Sequence, residues 1–72
     1  MYIAIFKNQN QAVKVSGILK RRSLYAEVIA TPRKYAVTGS CSYCLKFQSK
    51  DIDKVRMIAK EAGIHIESIY RL

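Results

Sequence analysis

A chain of 72 residues, half of them hydrophobic, with 13 Lys and Arg against five acids and a net charge of +8, is expected to form a single domain over residues 1–72. No apolar run approaches the roughly 20 residues of a membrane span, and no low-complexity segment argues for disorder. Two cysteines cannot build the disulfide framework of a small secreted protein, which leaves a cytoplasmic chain with reduced thiols as the expectation.

The opening MYIAIF is apolar but short, lacks a preceding basic region and has no small-residue cleavage site after it. It reads as a first strand, Tyr2 to Lys7, and not as a signal peptide. The next run, NQNQAVKVSGILKRRS, changes to helical spacing. Asn8 with Gln11 three residues on resembles a capping box. Ala12, Val15, Leu19 and Arg22, with Ile18 alongside, form one stripe. Gly17 costs about 1 kcal/mol relative to alanine inside a helix, so close packing on a sheet is the expected reason for it. Lys20, Arg21 and Arg22 occupy the last turn, where cations suit the helix dipole.

A second strand follows in YAEVIAT and stops at Pro32, which lacks a backbone donor. PRKYAVTGS is the one long irregular stretch, and loops of that length in compact domains often carry function. In SYCLKFQ the pattern alternates: Tyr43, Leu45 and Phe47 on one face, Cys44, Lys46 and Gln48 on the other. This is a third strand. Ser49 is the expected cap of a second helix over KDIDKVRMIAKEAG, with Ile52, Val55, Ile58, Ala59 and Ala62 on its inner face. Asp51 and Asp53 fall in its first turn, and Gly63 terminates it. IHIESIY closes the order as a fourth strand.

The order βαββαβ fits an α+β, ferredoxin-like arrangement, with two helices on one face of a four-stranded antiparallel sheet. The right-handed crossover rule puts the first and third strands at the centre. The opposite face has no helix to cover it and is expected to be solvated, to dimerise or to bind.

Charge is uneven along the chain. Through residue 50 there are nine basic residues and one acid, Glu27; from Asp51 onward there are four of each. The positive field is therefore expected in the first two-thirds. It serves either solubility or an anionic partner: RNA, an acidic protein surface, or an anionic sulfur species.

The cysteines, Cys41 and Cys44, admit several readings. A structural zinc site needs four ligands, and Cys41, Cys44 and His65 supply three, so no metal is expected in a monomer. A redox pair would need Cα atoms within about 7 Å, whereas three extended residues span roughly 10 Å. A disulfide would therefore demand a turn around Ser42 and Tyr43, and the other readings are a single working thiol or two cysteines that merely pack. Cys41 is the candidate for the first. Gly39, Ser40 and Ser42 beside it are small, with backbone amides able to donate to an anion, and Arg33 and Lys34 open the same loop. Nearby positive charge lowers a thiol's pKa. Cys44, within the strand, suits the role of a small apolar filler.

The opening MYIAIFKNQNQAVKV, the TPR at Thr31–Arg33, Cys41 followed after three residues by LKF, and the closing EAGIHIESIYRL occur in an order that resembles the selenium/sulfur carrier protein-like family of very small bacterial proteins. The resemblance covers nearly the whole chain. It implies that Cys41 is the characteristic cysteine and that it holds sulfur or selenium as a persulfide or selenosulfide. Two positions depart from the family pattern: Ser42 where glycine is usual, and Cys44 where a small apolar residue is usual.

The leading expectation is thus a carrier that takes sulfane sulfur from a donor such as a cysteine desulfurase and passes it on by thiol exchange. No separate general base is visible, so a carrier is expected more than an enzyme, with no cofactor. A second reading is a basic RNA-binding module, with Tyr43 and Phe47 stacking bases on a central strand. Leu45 between them argues that this face packs under helices, and the RNA-binding signature is missing. A third is an interaction module that dimerises through its open sheet face.

Overall fold

A computed structural model of the protein describes residues 1–35 and 43–72. Its elements are β1 (Tyr2–Phe6), α1 (Gln9–Arg21), β2 (Ala26–Ala30), a single 3-10 turn at Arg33–Tyr35, β3 (Tyr43–Phe47), a second 3-10 turn at Ser49–Asp51, α2 (Ile52–Glu61) and β4 (Ile66–Arg71). The four strands form one sheet in the order β2-β3-β1-β4, and every neighbouring pair is antiparallel. The expected ferredoxin-like βαββαβ arrangement is what the chain adopts, with β1 and β3 central.

Alternation along the strands divides the core into two clusters on opposite sheet faces. Tyr2, Ala4 and Phe6 of β1 and Leu45 and Phe47 of β3 face the helices, where Val15, Leu19, Val55 and Ile58 meet them. Phe6, Leu45 and Phe47 have no exposed surface, and each such side chain contributes about 1.5–3 kcal/mol when fully buried. Tyr2 meets Phe47 edge-on, ring centroids 6.1 Å apart and planes at 88°.

Both helix starts are built differently from a plain cap. Asn8 Oδ1 accepts from Gln11 N at 3.0 Å, as expected, but Gln11 Oε1 accepts from Lys7 N, one residue before the cap. Ser49 does not cap α2. It begins the 3-10 turn, and Asp51 takes the cap position, almost fully buried, without a side-chain cap bond among the described residues.

The helix ends are alike. At the end of α1, Leu24 N donates to Leu19 O and Ser23 N to Lys20 O; at the end of α2, Ile64 N donates to Ala59 O and Gly63 N to Lys60 O. These are paired 6→1 and 5→2 bonds around a left-handed residue. The left-handed position is Gly63 in α2 (φ 71°) but Ser23 in α1 (φ 60°). Leu24 and Ile64, next in sequence, both turn into the helix-side cluster.

Two helix expectations are corrected. Arg22 is not on the apolar stripe: it is the C-cap, and it reaches Glu61 of α2 at 3.7 Å. The fourth buried position of α1 is Ser16. Gly17 does not mark a close approach either, because a Cβ there would meet nothing within 4 Å.

The sheet face away from the helices is also corrected. Ile3, Ile5 and Cys44 are buried there, packed with Ile29, Tyr35 and Tyr70. Burial in an isolated chain means the chain itself covers the centre of this face. Among the described residues, Tyr35 and Tyr70 pack over it. β2 ends at Ala30 on one edge of the sheet, yet Tyr35, five residues on, stacks on Tyr70 of β4 at the other edge.

Candidate functional site

Pro32 ends β2, and the carbonyl of Pro32 accepts from Tyr35 N at 2.9 Å, closing the 3-10 turn. That turn aims the Tyr35 side chain across the sheet. Its ring lies 4.5 Å from that of Tyr70, nearly parallel at 13°, and its hydroxyl donates to Arg71 O at 2.8 Å. Lys34 Nζ sits 4.9 Å from the Tyr35 ring centroid, a cation–π distance. The Lys34 charge is thereby directed at the aromatic pair, while Arg33 beside it is exposed.

Of the expected site residues, Cys41, Gly39, Ser40 and Ser42 lie outside the described residues. Arg33, Lys34 and Cys44 lie within them. Cys44 has no exposed surface and sits between Ile5 of β1 and Ile29 of β2 in the ladder. It is buried there with Ile3 and Ile5, packed against Ile29. Cys44 is on the face away from the helices, whereas His65 lines a groove beside α2, so the structure does not bring these two together.

The aromatic platform of the RNA-binding reading is absent in its expected form. Tyr43 is 41% exposed, but Phe47 is wholly buried under the helices with Leu45. No base can reach it. The charge expectation also changes in three dimensions. Arg22, from the basic part of the sequence, pairs with Glu61 from the balanced part. Arg56 and Lys60, both from that balanced part, meet His65 in the groove along β4.

The groove holds about 530 Å³ and is walled by Arg56, Ala59 and Lys60 of α2 and by the run Ile64 to Ile69. Sequence reasoning missed it, although Arg56 and Lys60, one turn apart on the polar side of α2, were a readable signal. It also missed Tyr35 and Tyr70, whose contact joins residues 35 positions apart and leaves no local periodicity.

With the geometry in place, comparison with known proteins gives one match. The family described as "Putative Se/S carrier protein-like" matches residues 1–71. The chain belongs to this family. A search of curated proteins and a search of solved structures each return no match. As a member of the Se/S carrier-like family, the chain has a family description that points to selenium or sulfur carriage and so to donor and acceptor proteins. No described helix is long and apolar enough to cross a membrane.

Proposed function

We propose that the protein, acting as a single domain over residues 1–72 in the cytoplasm, carries sulfane sulfur or selenium on Cys41. The observation that carries this reading is the complete burial of Cys44, taken with the family match. A thiol without exposed surface cannot attack a sulfur held by another protein. Of the two cysteines in the chain, Cys41 is then the one to which carriage is assigned.

The exchange is a pair of displacements. The Cys41 thiolate attacks the outer sulfur of a donor persulfide, such as that of a cysteine desulfurase. The new S–S bond forms at Cys41 as the donor's S–S bond breaks, and the donor cysteine leaves as a thiolate. An acceptor thiolate then attacks the outer sulfur and releases Cys41 as a thiolate. Selenium follows the same course as a selenosulfide. Arg33 and Lys34 supply positive charge at the start of the segment, and Gly39, Ser40 and Ser42 supply small neighbours with backbone donors.

The test is mass spectrometry of the protein after incubation with a cysteine desulfurase and cysteine. A gain of one sulfur on the peptide containing Cys41, absent in Cys41→Ser and retained in Cys44→Ala, is expected. A wild-type protein that gains no sulfur overturns the reading.

A further inference from the structure

The groove beside α2 owes its floor to an irregularity in β4. Ile5 pairs with Ser68 and Phe6 with Ile66, so Glu67 is an extra residue in the ladder. In a regular strand, residues three apart point to opposite faces. With the extra residue between them, Ile66 and Ile69 both pack against the helix-side cluster, while Tyr70 packs on the other face. Bulges blunt a sheet edge, and they also re-aim side chains next to active sites. Here the bulge turns two half-buried isoleucines toward α2, beside Ala59 and Ile64, which are almost fully covered.

The rim of the groove is charged, and that charge is unanswered. Arg56 and Lys60 line it from α2, and both are exposed. Neither has an ion-pair partner among the described residues, although Lys54 and Glu61 of the same helix both do. Glu67 lines the same groove without pairing with either cation. Two cations against one acid leave the lining with a formal charge of +1, His65 counted as neutral.

Lys60 lies in the last turn of α2, where a cation suits the helix dipole. Arg56, one turn earlier, has no such role. Side chains four apart on a helix have Cβ atoms about 5–6 Å apart, so both heads can close on one anion. A carboxylate there takes charge-assisted hydrogen bonds from a guanidinium and an ammonium together.

We propose that this groove binds a small monocarboxylate with an aliphatic body, its carboxylate held by Arg56 and Lys60 and its body laid on Ile66 and Ile69. The groove's volume of about 530 Å³ falls within the range of small-ligand sites, roughly 300–1,000 Å³. Its single net charge matches a monoanion. A nucleotide fits less well, because no aromatic ring among the described residues lines the groove to stack a base and Glu67 opposes a multiply charged phosphate. The site uses neither cysteine, so it is independent of sulfur carriage.

The experiment is an NMR titration of the full chain, labelled at backbone nitrogens and isoleucine methyls, with octanoate kept below its micelle-forming concentration. Shifts are expected at the Ile66 and Ile69 methyls and at the amides of residues 56–60 and 64–69. Octanol should bind about tenfold more weakly, the size expected for the loss of two solvent-screened ion pairs. Acetate at the same concentrations should leave the isoleucine methyls unmoved. The double variant Arg56→Gln with Lys60→Gln, both at exposed positions, should keep its other resonances and bind octanoate no better than octanol. Arg56→Glu with Lys60→Glu should instead prefer octylammonium.

Equal affinity of the unaltered chain for octanoate and octanol overturns the proposal, as does no binding of octanoate. Octanoate shifts centred on Tyr35 and Tyr70, or octanoate binding unchanged in the glutamine double variant, overturn it as well. A blocked acidic peptide that displaces octanoate at lower concentration makes the occupant a protein segment, and the proposal fails. It also fails if the Ile66 and Ile69 methyls shift with protein concentration alone, because the occupant is then a second copy.

Discussion

The ring of Tyr35 lies on the ring of Tyr70 with centroids 4.5 Å apart, tying the stretch that follows one edge strand to the strand at the opposite edge. Beneath this tie lie Ile3, Ile5 and Cys44. Tyr35→Phe keeps the stack and loses the hydroxyl donated to Arg71 O, a partly exposed bond, so a loss of about 0.5–1 kcal/mol is expected. Tyr35→Ala loses both the stack and the cover, about 2–3 kcal/mol. Urea denaturation measures both, and a double-mutant cycle with Tyr70→Ala should return coupling of about 0.5–1.5 kcal/mol. Coupling near zero would mean the rings touch without stabilising the cover.

The two cysteines should differ in reactivity. In native protein Cys44 is expected to resist a thiol reagent until the chain unfolds. Opening that costs even about 5 kcal/mol slows labelling by roughly three to four orders of magnitude. Quantified labelling of Cys41→Ser protein, native and in urea, checks this. Rapid native labelling of Cys44 would remove the reason for assigning carriage to Cys41.

The matched helix ends make a paired prediction. Ser23 holds a left-handed conformation that costs an L-residue about 1 kcal/mol or more, and Gly63 holds the same conformation without that cost. Ser23→Gly should therefore stabilise by about 0.5–1 kcal/mol, and Gly63→Ala should destabilise by about 1 kcal/mol. Gly17→Ala, in a helix interior with open space for a Cβ, should stabilise by about 0.5–1 kcal/mol. Thermal melts of the three variants test the signs, and a destabilised Gly17→Ala would point to an unrecognised contact.

Tyr25 gives a pH signature. Its hydroxyl donates to Glu27 Oε1 at 2.9 Å, and this bond to the carboxylate, helped by partial desolvation and by the negative charge of Glu27, raises the phenol above its ordinary value of 10.0. Because the folded value is the higher one, the stabilisation is present below pH 10 and is lost as pH rises through the folded value. A residue-specific titration of the Tyr25 ring should show it ionising above its ordinary value, and Glu27→Gln should lower that value. An unchanged curve in Glu27→Gln would count against the bond.

Much of this fold was readable because the decisive signals were local. YIAIF and SYCLKF carry strand alternation that sorted Leu45 and Phe47 from Cys44, and Asn8 and Gly63 marked one start and one end correctly. The errors share a cause as well. Arg22 fits helical spacing, but its charge belongs to Glu61 on another element. Ser49 looks like a cap, yet a 3-10 turn intervenes and moves that position to Asp51. Tyr35 sits in a basic, polar stretch and packs only because Tyr70 comes to meet it. At the site, alternation placed Cys44 on the face away from the helices, but its burial there depends on Tyr35 and Tyr70, which come from elsewhere in the chain. The groove depended on how far α2 stands from β4, a distance that no short window of sequence encodes.

Strand β1 lies between β3 and β4, and Leu72 N donates to Met1 O at 2.9 Å. The earliest strand in the sequence is therefore satisfied only by segments some 40 and 65 residues later, a separation that slows folding. Until then YIAIF is an uncharged, β-prone stretch with both edges bare, the kind of segment that self-associates. Yield on synthesis should accordingly depend on temperature and chaperone supply more steeply than the protein's final stability suggests.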